Sequence, residues 1–225
     1  GMVSAGELLG LARLLHAEGY RVVALSDSRG AIYDPDGIDV AETIRSQEEK
    51  GLVNQRPCSL EEASGGKCKI ISNGELLESD VDILIPAALE NVITAENTAR
   101  VKAKVILEMA NGPVAAEAEA TLTAHGTVVI PDILANSGGV VGSYFEWVQG
   151  LARFYWEEGE VLKQIEKIMV QAFQAVAAEQ SKGGPPRSQS GRGSPSQGLG
   201  GTWREAAYRL AVKRVAEAMR LRGWV

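Results

Sequence analysis

Apolar runs and amphipathic helical segments alternate along the first 130 residues of the chain. Apolar positions at helical spacing predict a first helix that ends at Gly19, its stripe being Leu8, Leu11, Ala12 and Leu15. Short apolar runs predict strands at residues 21–26, 81–85, 104–108 and 127–130. Further helices are predicted at 39–50, 94–100 and 115–125, and Gly30 is predicted to open a turn-rich loop. This order predicts an α/β fold whose mostly parallel sheet is covered by helices on both faces.

From residue 139 onward the pattern is purely helical. Two helices are predicted at about 139–157 and 159–181, and a basic helix at about 203–222. Residues 182–201 read KGGPPRSQSGRGSPSQGLGG, a composition that cannot pack a core and predicts a disordered loop. We therefore expect a sheet-containing domain of residues 1–138 and a helical extension of residues 139–225.

Composition narrows the classes of function. Of the 225 residues, 45% are hydrophobic and 23% are charged, as in ordinary globular proteins, and the formal net charge of -6 argues against nucleic-acid binding. No apolar run approaches the roughly 20 residues that span a bilayer. Cys58 and Cys68 lack zinc-site spacing, and the acidic loop 33–37 lacks the spacing of a calcium loop. We expect a cytoplasmic protein that binds neither a metal, a membrane nor a nucleic acid.

The basic helix 203–222 leaves one alternative open. It carries six Arg and Lys residues against two Glu residues, a balance that could suit a nucleic acid. A solvated helix face with an apolar stripe accounts for the same pattern, and we favour that interpretation.

Small and polar residues follow the predicted strands. They are Asp27, the corner 86–88, the pair Asn111-Gly112 and the segment 136–139. In a doubly wound sheet, ligands bind at the carboxyl ends of the strands. A carboxylate can hydrogen-bond ribose hydroxyls, small residues let a pyrophosphate approach the backbone, and an Asn amide offers both a donor and an acceptor. The set as a whole favours a nucleotide site.

Each of these features also has a structural interpretation. Asp27 could start a turn or cap a helix, and Asn111-Gly112 could form a tight turn. Gly138 and Gly139 could allow close packing at the start of a helix. The sequence alone leaves these alternatives open.

Four long segments resemble the glutamate/leucine/phenylalanine/valine dehydrogenase family, and glutamate dehydrogenases most closely. They are VVALSDSRGAIYDPDGID, DILIPAALENVIT, EMANGP and VIPDILANSGGVVGSYFEWVQ. The resemblance covers nearly the whole chain except residues 51–69 and 182–201. It implies a Rossmann-like C-terminal domain that binds NAD or NADP. It also implies the oxidative deamination of L-glutamate to 2-oxoglutarate as the activity of the whole enzyme.

The resemblance assigns roles to particular residues. For the cofactor these are Asp27 at the adenosine ribose, Ser28 beside it, Ala87 and Ala88 along the dinucleotide, Asn111 at the nicotinamide ribose and Asn136 at the nicotinamide amide. Val140 and Ser143 match positions that line the substrate side-chain pocket, where a hydroxyl meets the distal carboxylate of glutamate. The acidic Asp27 favours NAD, because it would repel the 2′-phosphate of NADP.

The chain departs from the family pattern at its start. The usual first strand is absent, and Val3, Ala5 and Leu8 stand where the GxGxxG glycines should cradle the pyrophosphate. This departure favours loss of cofactor binding. Strands 21–26 and 81–85 would flank the missing strand. We therefore expect a domain truncated at its N-terminus in which these strands collapse together, or pair with a second copy or another chain.

No catalytic residue is predicted within this chain. The resemblance places the catalytic lysine and aspartate on a separate N-terminal domain, so we expect the chain to be inactive alone and to need a chain that supplies that domain. The alternative hypothesis is a non-catalytic regulatory or interaction module derived from such an enzyme.

Overall fold

The computed structural model describes residues 5–50, 68–182 and 201–224, without the side chains of residues 5–8 and 46–50. The side chains of all three residues that stand where the glycines are expected, Val3, Ala5 and Leu8, therefore lie outside the described part of the chain, as do nearly all of residues 51–69 and of the predicted disordered loop 182–201. By internal contacts the chain divides into two compact units. The first comprises residues 1–81 and 100–102, and the second comprises 82–99 and 103–225. The predicted boundary between a sheet-containing domain of residues 1–138 and a helical extension of residues 139–225 stays a prediction.

The first unit is built on a three-stranded antiparallel sheet of order β1-β2-β3. Its elements are α1 (Ala5–Ala17), β1 (Ala24–Asp27), β2 (Gly30–Tyr33), α2 (Val40–Lys50), β3 (Lys69–Ile71) and α3 (Asn73–Leu77). The prediction that Gly30 opens a loop is wrong, because Gly30 pairs with Asp27 and begins β2. The tight hairpin brings Ile32 into the core beside Ala12, Ile38 and Val40.

The second unit contains a parallel sheet of order β4-β5-β6. The strands are β4 (Ile83–Leu84), β5 (Val105–Leu107) and β6 (Val128–Ile130). The helices are α4 (Ala116–Ala124), α5 (Asp132–Ala135), α6 (Gly138–Ala152), α7 (Glu158–Lys182) and α8 (Trp203–Leu221). The expected α/β class, Rossmann-like parallel sheet and helical C-terminus are confirmed, whereas the antiparallel sheet of the first unit was not predicted. None of the described helices is long and apolar enough to cross a membrane.

The helix predicted at 94–100 is shorter than expected. Only Thr98–Arg100 is helical, as a single 3-10 turn. The reason lies in Asn97, whose Oδ1 accepts the amide of Thr94 and whose Nδ2 donates to the carbonyl of Val92. Such local side-chain bonds satisfy the backbone without an α-helix.

The helical part of the second unit packs around a small apolar core. Leu134, Val176, Ala206 and Ala207 are buried together, and Phe173 stacks on Trp203 with ring centroids 5.3 Å apart. A capping box between Thr202 and Glu205 fixes the start of α8. Helix α6 ends earlier than the predicted residue 157, because Arg153 takes a left-handed conformation with φ 52°.

Among the described residues, β1 lies at the end of one sheet and β4 at the end of the other. The collapse of these two strands onto each other stays a prediction. Pairing of either strand with another chain stays a prediction.

Candidate functional site

The carboxyl ends of β5 and β6 bring Asn111 and Asn136 together. The Nδ2 of Asn136 donates to the Oδ1 of Asn111 at 2.7 Å and to the carbonyl of Met109 at 3.3 Å. Asn111 follows β5, and Asn136 caps the C-terminal end of α5 just beyond β6. Nδ2 of Asn111 and Oδ1 of Asn136 make no hydrogen bond with any of the described residues. The pair therefore offers a ligand one amide donor and one carbonyl acceptor.

A tight turn at Gly112 supports this pair. Gly112 has φ 54°, its amide donates to Oδ2 of Asp132 at 2.8 Å, and its carbonyl accepts the amide of Asn91 at 2.8 Å. The turn interpretation of Asn111-Gly112 is thus confirmed. It is compatible with the ligand interpretation, because the turn is what places Asn111 beside Asn136.

We expect Gly112→Ala to destabilise the protein by about 1–3 kcal/mol through backbone strain alone. No atom lies within 4 Å of a Cβ added at Gly112, so steric clash contributes nothing. Thermal unfolding followed by circular dichroism measures the effect. Gly150→Ala is the matched control, because Gly150 lies in α6 without a positive φ and also has open space around its Cβ. An equal effect of the two substitutions would contradict the strain argument.

Asp27 and Ser28 lie in the β-hairpin of the first unit. The Oδ1 of Asp27 accepts the amide of Arg29 at 2.7 Å, and its carbonyl accepts Nδ2 of Asn73 at 3.0 Å. The turn role considered for Asp27 is therefore confirmed, and Ser28 is exposed in the turn itself. Their contact with an adenosine ribose stays a prediction.

Ala87 and Ala88 form the corner after β4. Ala87 is buried and Ala88 is exposed. The carbonyl of Pro86 just before them accepts the amides of Met109 and Ala110, which joins this corner to the segment that carries Asn111. Their contact with a dinucleotide also stays a prediction.

Val140 and Ser143 are both exposed on α6, near its N-terminus. A Cβ added at Gly138 would lie 3.7 Å from Sδ of Met169, an ordinary van der Waals distance, and Gly139 has open space. Close packing therefore requires a glycine at neither position. The substrate role of Val140 and Ser143 stays a prediction.

An ionic network around Arg204 was missed by sequence reasoning. Arg204, near the start of α8, binds both oxygens of Glu108 through NH2 at 2.7 Å. Its Nε contacts Oε2 of Glu119 at 2.5 Å, and its NH1 contacts Oδ1 of Asp132 at 3.1 Å. Glu108 follows β5, Glu119 lies on α4 and Asp132 begins α5, so one guanidinium joins four separate segments.

The network combines three carboxylates with one cation in a largely buried place. The side chain of Glu108 is 0% exposed, and that of Arg204 is 23% exposed. Oε1 of Glu119 is buried without a hydrogen-bond partner among the described residues. Burial raises the pKa of Glu108, against hydrogen bonds from Arg204 and the amide of Asp132 that lower it. Burial also opposes the charge on Arg204, but hydrogen bonds to Glu108 and Glu119 hold its pKa above the ordinary value.

This network does not form a metal site. Across the described parts of the chain, no group of three or more His, Cys, Asp or Glu side chains is arranged to hold a metal ion. The only sequence signal for the network was a charged residue at the start of each of two motifs. Glu108 is the first residue of the EMANGP segment, and Arg204 is the first residue of the REAAY segment. Neither residue indicated its partner.

Comparison with known proteins covers nearly the whole chain. The family model of glutamate/leucine/phenylalanine/valine dehydrogenases matches residues 8–223. The glutamate dehydrogenase of Thermotoga maritima is 46% identical over 91% of this chain, which spans 43% of that relative. The catabolic NAD-specific glutamate dehydrogenase RocG of Bacillus subtilis is 36% identical over 100% of this chain and 46% of its own length.

A solved structure supports the same assignment. The hetero-hexameric glutamate dehydrogenase of Thermus thermophilus, in its Leu-bound form, aligns with a TM-score of 0.77 at 30% identity. The alignment covers 95% of this chain and 44% of that one. The chain thus spans less than half the length of these relatives, and it belongs to the glutamate/leucine/phenylalanine/valine dehydrogenase family.

Proposed function

We propose that this chain is the NAD(P)-binding part of a glutamate dehydrogenase. The observation that carries the proposal is the Asn111–Asn136 pair, which presents one donor and one acceptor at the carboxyl ends of two adjacent parallel strands. These groups fit the carboxamide and ribose of a nicotinamide nucleotide. Bound NAD(P) would accept the hydride that leaves the amino acid during oxidative deamination.

The remaining roles follow the family resemblance. Asp27 and Ser28 contact the adenosine ribose, and Ala87 and Ala88 border the dinucleotide. Asp27 favours NAD over NADP by charge, and the NAD-specific relative from Bacillus subtilis agrees with that preference. Val140 and Ser143 face the side chain of glutamate.

The reaction itself needs residues beyond this chain. Because the chain spans 43% of a relative that is a glutamate dehydrogenase, we expect it to be inactive alone and to act with a chain or segment that carries the catalytic domain. The hexameric relative from Thermus thermophilus supports an assembly of several subunits, which we place in the cytoplasm. A non-catalytic module is the second candidate, and the residues that replace the GxGxxG glycines favour it.

Nucleotide titration separates the two candidates. We expect the purified chain to bind NADH with micromolar to low-millimolar affinity, and more tightly than NADPH, by nicotinamide fluorescence or calorimetry. Asn136→Ala should weaken NADH binding roughly tenfold, because it removes one or two hydrogen bonds. Gln164→Ala is the control, since it removes an exposed amide on α7. If neither nucleotide binds, the chain is a non-catalytic module.

A further inference from the structure

The Arg204 network is linked to the Asn111–Asn136 pair through Asp132. One oxygen of Asp132, Oδ1, contacts NH1 of Arg204 at 3.1 Å, whereas the other, Oδ2, accepts the amide of Gly112 at 2.8 Å. The backbone amide of Asp132 donates to Oε2 of Glu108 at 2.8 Å. Asp132 is thus held from two sides, by the guanidinium and by the carboxylate that the guanidinium binds bidentately.

Asp132 in turn holds the backbone of both segments that carry the asparagines. Its side chain fixes the amide of Gly112, the residue after Asn111, and its carbonyl accepts the amide of Asn136 at 3.1 Å. A rotation of the Asp132 carboxylate would remove the hydrogen bond that fixes the Gly112 amide, and glycine at φ 54° has many other backbone conformations open to it. Asp132 thus bonds the backbone next to Asn111 and that of Asn136, whose side chains are 2.7 Å apart.

We propose that Arg204 is a positioning residue for the nicotinamide end of the cofactor site, acting through Asp132 on the Asn111–Asn136 pair. The proposal rests on the proposed function of this chain. Arg204 contacts neither asparagine. Its effect is therefore on the orientation of Asp132, which bonds the backbone of Gly112 and Asn136. The planar fork of the guanidinium suits this role, because NH2 binds Glu108 while NH1 contacts Asp132.

A positioning role predicts selectivity between two ligands. ADP shares the adenosine and the diphosphate of NADH but lacks the nicotinamide ribose and ring that Asn111 and Asn136 would contact. We expect Arg204→Gln and Asp132→Asn each to weaken NADH binding roughly tenfold while ADP affinity changes less than about twofold. Asp132→Asn serves as the milder variant should Arg204→Gln fail to fold. Equal losses for both ligands, or no loss for either, would overturn the positioning role.

Two controls separate this effect from general damage. Arg209→Gln removes another arginine of α8, one whose Nε lies 3.6 Å from Glu179 and which has no contact with Asp132 among the described residues. Glu119→Gln alters the same network but leaves the contacts of Arg204 with Glu108 and Asp132. Both variants should bind NADH within about twofold of the parent chain.

A nucleotide-free measurement distinguishes failure of this inference from failure of the proposed function. In ¹⁵N NMR spectra of the free chain, Arg204→Gln should shift the Gly112 amide and the Asn136 side-chain amide and speed hydrogen exchange at Gly112. Arg209→Gln should leave all three unchanged. If the parent chain binds no nucleotide, the proposed function fails, and these signals still decide whether Arg204 positions the pair. Unshifted signals in Arg204→Gln would overturn the inference.

Discussion

Arg204→Gln is expected to lower the free energy of unfolding by about 3–5 kcal/mol at neutral pH, the cost typical of breaking a buried ion pair by removing one partner. The substitution leaves Glu108, Glu119 and Asp132 close together without their cation. Glu108 is the most affected, because its side chain has no contact with solvent and loses two hydrogen bonds. Glutamine can replace part of that hydrogen bonding but none of the charge.

The cost of Arg204→Gln should also depend on pH. Burial already raises the pKa of Glu108 above 4.5, and the hydrogen bond from Arg204 opposes that shift. Without Arg204 the pKa of Glu108 in the folded protein rises further. At pH values between the ordinary pKa and this raised pKa, the folded protein therefore binds more protons than the unfolded chain. Stability then falls as pH increases through that window. We therefore expect a smaller destabilisation near pH 4.5, where protonation relieves the buried charge, than at neutral pH.

Urea denaturation at the two pH values measures this difference. Tryptophan fluorescence is a suitable probe, because all four tryptophans, Trp147, Trp156, Trp203 and Trp224, belong to the second unit with Arg204. Arg209→Gln is the matched control, since the ion pair of Arg209 with Glu179 is partly exposed and worth at most about 1 kcal/mol. If the two arginine variants lose equal stability, the network contributes no more than a surface ion pair.

The elements that sequence predicts well are those whose pattern is local. β5, β6, α4, α7 and α8 lie within a few residues of their predicted bounds, because an apolar run or a helical stripe marks each of them. β2 was missed because four residues beginning with Gly30 look like the continuation of a turn. That segment is a strand only because it pairs with β1 and β3. The periodicity of apolar residues within the segment does not indicate such pairing.

The same distinction applies to the candidate site. Proximity of Asn111 and Asn136 could be predicted, because parallel neighbouring strands end at the same edge of a sheet. The partnership of Arg204 with Glu108 could not, because 96 residues separate them and neither residue sits in a spacing that specifies the other. A charged residue at the start of each motif was the available signal, and it does not identify the partner.

Ile106→Ala should be the second strongly destabilising substitution, at about 2–5 kcal/mol. Ile106 is 0% exposed and lies in the central strand β5, level with Leu84 on one side and Val129 on the other. Removing three carbons there leaves a cavity that two flanking strands hold open. Urea denaturation followed by tryptophan fluorescence measures the loss, because the sheet belongs to the same unit as the tryptophans.

Ile83→Ala is the matched control, because it deletes the same atoms from the neighbouring strand β4, where Ile83 is 40% exposed. For this chain by itself the expected cost is within about 0.5 kcal/mol, as for most surface positions. Since β4 is the last strand in the described part of its sheet, a large cost that grows with protein concentration would mean that another chain covers this strand. That outcome would support the predicted pairing of this strand with another chain. A large cost independent of concentration would contradict the placement of Ile83 at the surface.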